Sequence, residues 1–182
     1  MEGILELLRQ GAKENPQRVI YDFLDCGQEP FLHHPITMQE LYQRSTALAA
    51  QLKRKGAKPG DRAILLSLQD EGTLYGILGC MLAGVVFTVI PPPIDEGKLS
   101  RFISVLRSCN PKFLISNAQM EQESDTHVTG PLLRRAFGQV LALKRIYTDR
   151  IPPYDGEEIF HAFQPDEVLY LQYTSGSTSA PK

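Results

Sequence analysis

The chain has 182 residues, enough for one hydrophobic core or one lobe of something larger, and its 42% hydrophobic and 22% charged shares are ordinary for a globular protein. A formal net charge of −2 gives no electrostatic reason to expect nucleic acid or an anionic membrane surface as a partner. The three cysteines, Cys26, Cys80 and Cys109, are odd in number and far apart, which excludes a Cys-x-x-Cys zinc or redox motif and suits a reducing cytoplasm.

The N-terminus lacks a basic stretch followed by an apolar one, so it reads as an amphipathic helix and not a signal peptide. Ile4, Leu5, Leu7, Leu8 and Ala12 form one helical stripe, stopped at Asn15-Pro16. Residues 19–24 are β-branched and aromatic-rich, a predicted strand, and 31–34 can pair with it across a turn at 27–30. Thr37 followed by Glu40 has the capping-box spacing that satisfies orphan donors at a helix start. Leu41, Ala47, Leu48 and Leu52 supply that helix's buried face. Lys53, Arg54 and Lys55 suit the negative end of its dipole, and Gly56 its C-cap.

Pro59-Gly60-Asp61 marks a turn, and the spacing then predicts a strand at 62–68, a helix at 70–83 and a strand at 85–90. A helix at 99–109, stopped by Asn110-Pro111, leads to a strand at 112–116. Cys80 and Cys109 fall inside apolar helical patterns, where a free cysteine serves as a small core residue. The longest apolar stretch, 76–93, contains glycines and closes in prolines, so it divides into helix and strand and does not span a membrane. Beyond it, 119–130 reads as a polar loop, 132–141 as a helix, 143–147 as a strand and 151–165 as an irregular connection. Residues 167–173 form a last strand. Alternating strands and helices with short connections predict an α/β fold, a mostly parallel sheet flanked by helices, without internal repeat or linker.

That last strand runs into Tyr173-Thr174-Ser175-Gly176-Ser177-Thr178, with Pro181-Lys182 closing the chain. Gly176 permits backbone angles that let consecutive amides face one concavity, the hydroxyls of Thr174, Ser175, Ser177 and Thr178 can donate to phosphate oxygens, and Lys182 adds a charge. The Gly-x-x-x-x-Gly-Lys spacing of a Walker A loop is absent. Composition alone favours a Ser/Thr/Gly linker of no special purpose, and the whole string 171–182, set directly after a strand, reverses that reading. The four histidines, His33, His34, His127 and His161, lack metal-ligand spacing and read as surface or structural residues.

The whole string Leu171-Gln172-Tyr173-Thr174-Ser175-Gly176-Ser177-Thr178-x-x-Pro181-Lys182 resembles the phosphate-loop motif of the acyl- and aminoacyl-adenylate-forming superfamily. Ile36-Thr37-Met38-Gln39-Glu40-Leu41, leading to Gly56 and Pro59-Gly60-Asp61-Arg62, looks like the family's first helix and following strand. Gly79-Cys80-Met81-Leu82-Ala83-Gly84, leading to Val89-Ile90-Pro91, looks like its second core motif. Leu171-Gln172-Tyr173 and Pro91-Pro92-Pro93 are similar to fatty acyl-AMP ligases in particular. Ser179-Ala180 departs from the usual loop, in which many members carry a glycine and then a variable residue.

The resemblance implies that residues 1–182 are the incomplete first part of a large N-terminal AMP-binding domain, ending within the phosphate loop and inactive alone. It implies ATP and Mg²⁺ as cofactors, with Thr174, Ser175, Gly176, Ser177, Thr178 and Lys182 on the phosphates and no protein metal ligand in this stretch. It implies a cytoplasmic ligase of lipid or polyketide metabolism that adenylates a fatty acid and passes it to an acyl carrier protein. No catalytic residue is assigned. The acyl-CoA synthetases, the amino-acid adenylation domains and a non-catalytic binding module remain as alternatives.

Overall fold

The structure, a computed structural model, describes residues 3–25, 27, 29–66, 70–92, 96–118 and 142–173. The expected loop at 119–130 and helix at 132–141 lie outside them, as do Cys26 and His127. Helix α1 (Ile4–Glu14) precedes the antiparallel hairpin of β1 (Val19–Asp25) and β2 (Leu32–Thr37), in which Val19 faces Thr37 and Asp25 faces Leu32. β2 runs three residues past the expected end at His34, through Pro35. A two-strand ribbon tolerates this, because its outer edges need no backbone donor.

Helix α2 (Met38–Arg54) starts where the sequence places it, with the Glu40 N–H donating to Thr37 Oγ1 at 3.2 Å. The reciprocal half of the capping box is missing, because the Glu40 carboxylate accepts from the Tyr75 hydroxyl at 3.1 Å instead. Burial first, and then Glu40, push the Tyr75 hydroxyl above its ordinary pKa.

β3 (Arg62–Leu66), α3 (Glu71–Ala83), β4 (Val86–Ile90), α4 (Glu96–Cys109), β5 (Phe113–Ser116) and β6 (Lys144–Tyr147) build a four-stranded parallel sheet in the order β4-β3-β5-β6. This is the α/β architecture expected, with helices on both faces. Alternation along β3 shows how the faces separate. Ala63 and Leu65 join the core of α2 and α3, with Leu48, Leu52, Leu82, Phe113 and Ile115, whereas Ile64 joins Phe102, Val105 and Leu106 of α4. Fully burying one such leucine or phenylalanine is worth about 1.5 to 3 kcal/mol, so these two layers dominate the stability of the fold.

Cys80 and Cys109 are both completely buried, and burial raises both thiol pKa values, partly countered at Cys109 by the Arg62 charge. α3 is apolar on all sides because α2, the sheet and the turn at 148–150 enclose it. No helix among the described residues is long and apolar enough to cross a membrane.

The Pro59-Gly60-Asp61-Arg62 string fastens the amino ends of the strands. The Gly60 N–H donates to the Gly84 carbonyl at 2.9 Å, the Val86 N–H to the Asp61 carbonyl at 2.8 Å, and Arg62 to the Cys109 carbonyl at 2.8 Å. The Asp61 carboxylate accepts from the Lys58 N–H and from Lys112. Partial burial pushes that carboxyl up, but the Lys112 hydrogen bond, the Lys58 N–H and the neighbouring charges outweigh it and hold it below its usual pKa.

Candidate functional site

In a parallel sheet the carboxyl ends of all strands lie along one edge, and ligands of open α/β sheets bind there. Here that edge holds Leu66, Ile90, Ser116 and Tyr147. The strand expected at 167–173 is reduced to an extended segment with one parallel bridge, Tyr170 to Phe87, and one bond from the Leu171 N–H to the Phe87 carbonyl at 2.8 Å. The rings of Phe87 and Tyr170 stack at 6.0 Å. Local composition favours extended backbone at 167–173, but a ladder needs a matching edge, and this segment meets β4 at one point only. The bridge sets the segment parallel to β4, so it runs toward the end at which Ile90, the last residue of β4, stands.

Two side-chain bonds then tie Tyr173 to α4. Arg101 donates to the Tyr173 carbonyl at 3.0 Å, and the Tyr173 hydroxyl donates to Ser108 Oγ at 3.2 Å. Leu171 and Tyr173 also pack on the apolar cluster of α4. Neither Arg101 nor Ser108 is legible in the sequence, since their partner lies 72 and 65 residues away and no local period marks them.

Upstream, the segment is anchored at His161. Its ring lies over Gly84, the αL residue that closes α3, and packs edge-on against Phe163 at 4.6 Å. His161 Nε2 is 3.1 Å from the Glu167 carboxylate, which also accepts from the Gln164 N–H at 2.8 Å. That backbone bond, helped by His161, outweighs the opposing effect of burial and holds Glu167 below its ordinary pKa. A groove of about 460 Å³ runs between this segment and the amino ends of β3 and β4, lined by Arg62, Ser108, His161, Phe163 and Glu167 among others. Leu171 and Tyr173 line it as well, the Tyr173 side chain reaching it at Ser108.

Thr174, Ser175, Gly176, Ser177, Thr178 and Lys182 all lie outside the described residues. Tyr173, the residue before them in sequence, is the last described one. His33 sits 2.7 Å from Asp22 on the exposed hairpin, a surface pairing. Among the described residues no group of three or more His, Cys, Asp or Glu side chains could hold a metal ion.

Residues 8–182 match the family described as AMP-binding enzyme. The chain belongs to that family. It is similar to the long-chain-fatty-acid-AMP ligase FadD32 of Mycolicibacterium smegmatis, 28% identical over 98% of this chain and 28% of the relative. It is also similar to the medium-chain-fatty-acid-acyl-carrier-protein ligase JamA of Moorena producens, 28% identical over 98% of this chain and 30% of the relative. Among solved structures it resembles the fatty acyl-adenylate ligase from L. pneumophila in complex with acyl adenylate and pyrophosphate, with a TM-score of 0.77 and 26% identity over 98% of this chain and 29% of that one. The chain spans under a third of the length of these relatives.

Proposed function

We propose that this chain is the first part of the large N-terminal domain of a fatty acyl-AMP ligase, and that residues 174–182 handle the phosphates of ATP. The observation that carries the reading is the placement of Tyr173. The parallel bridge of Tyr170 to Phe87 runs the segment toward the carboxyl end of β4, where open α/β sheets bind their ligands, and Tyr173 is the residue before the Thr/Ser/Gly run.

The chemistry explains the residue types. A carboxylate resists substitution because its leaving group would be oxide. When one of its oxygens attacks the α-phosphorus of ATP, a carbon–oxygen–phosphorus linkage forms, the bond to the bridging α–β oxygen breaks and pyrophosphate departs. The acyl group is then bonded to AMP, a good leaving group for later attack by a thiol. The protein must align nucleophile and leaving group and stabilise charge on the departing pyrophosphate. The hydroxyls of Thr174, Ser175, Ser177 and Thr178, the amides around Gly176 and the Lys182 ammonium are donors suited to the β- and γ-phosphates. No general base is needed, because a fatty carboxylate is ionised at neutral pH.

Mg²⁺ would share the phosphate charge when bound. The described residues offer no carboxylate cluster for it, so none is assigned to the metal. An acyl carrier protein is the proposed acceptor and the cytoplasm the proposed compartment. Support for the acceptor is the likeness to JamA, whose name states carrier-protein ligation.

ATP–pyrophosphate exchange, run with a full-length enzyme that carries this sequence and offered fatty and amino acids separately, tests the reading. Fatty-acid-dependent exchange is expected, and exchange with amino acids alone refutes it. Lys182→Ala should weaken ATP use about ten- to hundredfold, the range for one charge-assisted phosphate contact, with the fold unchanged.

A further inference from the structure

We infer that Arg101 of α4 is a positioning residue for the phosphate segment, fixing the peptide from which residues 174–182 depart. The inference rests on the proposed reading of those residues as phosphate ligands.

Among the described residues, the bond from the Leu171 N–H to Phe87 is the last backbone bond the sheet makes to this segment. Past it, Gln172 and Tyr173 extend with no ladder, and α4 takes over the hold. Arg101 grips the Tyr173 carbonyl at 3.0 Å while the ring of Tyr173 reaches along the helix to Ser108 at 3.2 Å. One residue is thus held at both ends, backbone and side chain, by helix positions two turns apart. Because a peptide group is planar, a fixed Tyr173 carbonyl fixes the plane through which the chain passes toward Thr174.

A guanidinium suits the task. It keeps its charge at all working pH values and carries several donors in a rigid plane. A ligand that requires one arrangement of the segment binds more weakly in proportion to the time the segment spends elsewhere. Loss of one exposed, charge-assisted bond lowers the held-to-released ratio about fivefold, so the released fraction rises and apparent phosphate affinity falls, each by at most about that factor.

Two measurements on the full 182-residue chain test this, comparing wild type with Arg101→Met, Arg101→Lys and Arg107→Met. Arg101→Met keeps the aliphatic stem and removes the donors, Arg101→Lys keeps a donor and the charge, and Arg107→Met controls for losing a cation from an exposed position of the same helix. Amide exchange at residues 172–174 should rise, by at most about fivefold, in Arg101→Met, return most of the way in Arg101→Lys and stay unchanged in Arg107→Met. Inorganic tripolyphosphate should bind Arg101→Met more weakly than wild type, by at most about fivefold, and Lys182→Ala more weakly still.

Unchanged exchange in Arg101→Met, or an equal rise in Arg107→Met, overturns the role of Arg101 whatever the ligand does. If exchange responds as expected but tripolyphosphate does not distinguish Lys182→Ala from wild type, the proposal falls through its premise, the phosphate reading, while the hold on Tyr173 stands.

Discussion

Gly84 closes α3 at φ 72°, and the His161 ring covers the space into which a side chain would project. Consider Gly84→Ala. An L-residue in the left-handed region loses about 1 to 2 kcal/mol, and the stiffer unfolded chain of alanine returns about 0.4 to 1, leaving a cost of about 1 kcal/mol. The new Cβ would also stand 2.9 Å from His161 Cγ and 3.0 Å from Nδ1, closer than carbon atoms in contact tolerate. The ring cannot retreat freely, because Glu167 and the edge of Phe163 hold it. Overpacking of this kind costs about 1 to 3 kcal/mol, so the variant should lose about 2 to 4 in all.

Gly60 provides the comparison. It has φ 82°, but no atom lies within 4 Å of the place a methyl group would occupy, so Gly60→Ala carries the backbone cost of about 1 kcal/mol alone. Urea unfolding followed by circular dichroism gives both values if the transition is two-state, and a chain of this size shifts its Tm by about 2 to 4 °C per kcal/mol. In a His161→Ala background the cost of Gly84→Ala should fall to that of Gly60→Ala, a coupling of about 1 to 3 kcal/mol. Equal costs for the two glycines, or no coupling to His161, would refute the reasoning.

Two further outcomes follow from the buried and paired groups. Asp61 has its pKa lowered by folding, so its contribution is complete above the ordinary carboxylate value near 3.9 and disappears as pH falls through the lower folded value. Asp61→Asn should therefore lose about 1 kcal/mol at neutral pH, with the gap to wild type closing below about pH 4, and a difference constant with pH would count against the Lys112 and Lys58 contacts as its cause. Cys80 and Cys109, buried and with raised thiol pKa values, should react with a thiol reagent no faster than the chain unfolds. Mass spectrometry of labelled peptides checks this, and rapid native labelling of either residue would show that the α3 and α4 cores open locally.

Much of the fold was legible because its signals are local. Thr37 and Asp70 accept from the N–H three residues on, and Gly84 supplies the αL closure, so the boundaries of α2 and α3 follow from a few residues each. The apolar runs at 62–66, 86–90 and 113–116 became parallel strands buried on both faces, as runs without polar alternation should. Where the outcome depended on distant partners, local reading fell short. The Glu40 side chain left its capping box for Tyr75, the strand expected at 167–173 found one bridge, and α4 began at Glu96 instead of Leu99. His161 and Arg101 gave no signal, because each matters through a contact made across the chain with Gly84 or Tyr173. The six phosphate residues were named from the sequence and lie outside the described residues, so their assignment still rests on residue type and on the point of departure at Tyr173.

The strings that carry the family likeness divide by physical role. Pro59-Gly60-Asp61-Arg62 and Gly79-Cys80-Met81-Leu82-Ala83-Gly84 meet each other through the Gly60–Gly84 backbone bond and hold the amino ends of β3 and β4. They explain why the chain folds as this family does. The phosphate chemistry proposed above belongs to residues 174–182. Substitutions should divide in the same way, Gly84→Ala appearing in the unfolding transition and Lys182→Ala in the use of ATP. A Lys182→Ala chain that unfolded as readily as Gly84→Ala would break that division, since it would make Lys182 part of the fold's support and remove the main reason to place it on phosphate.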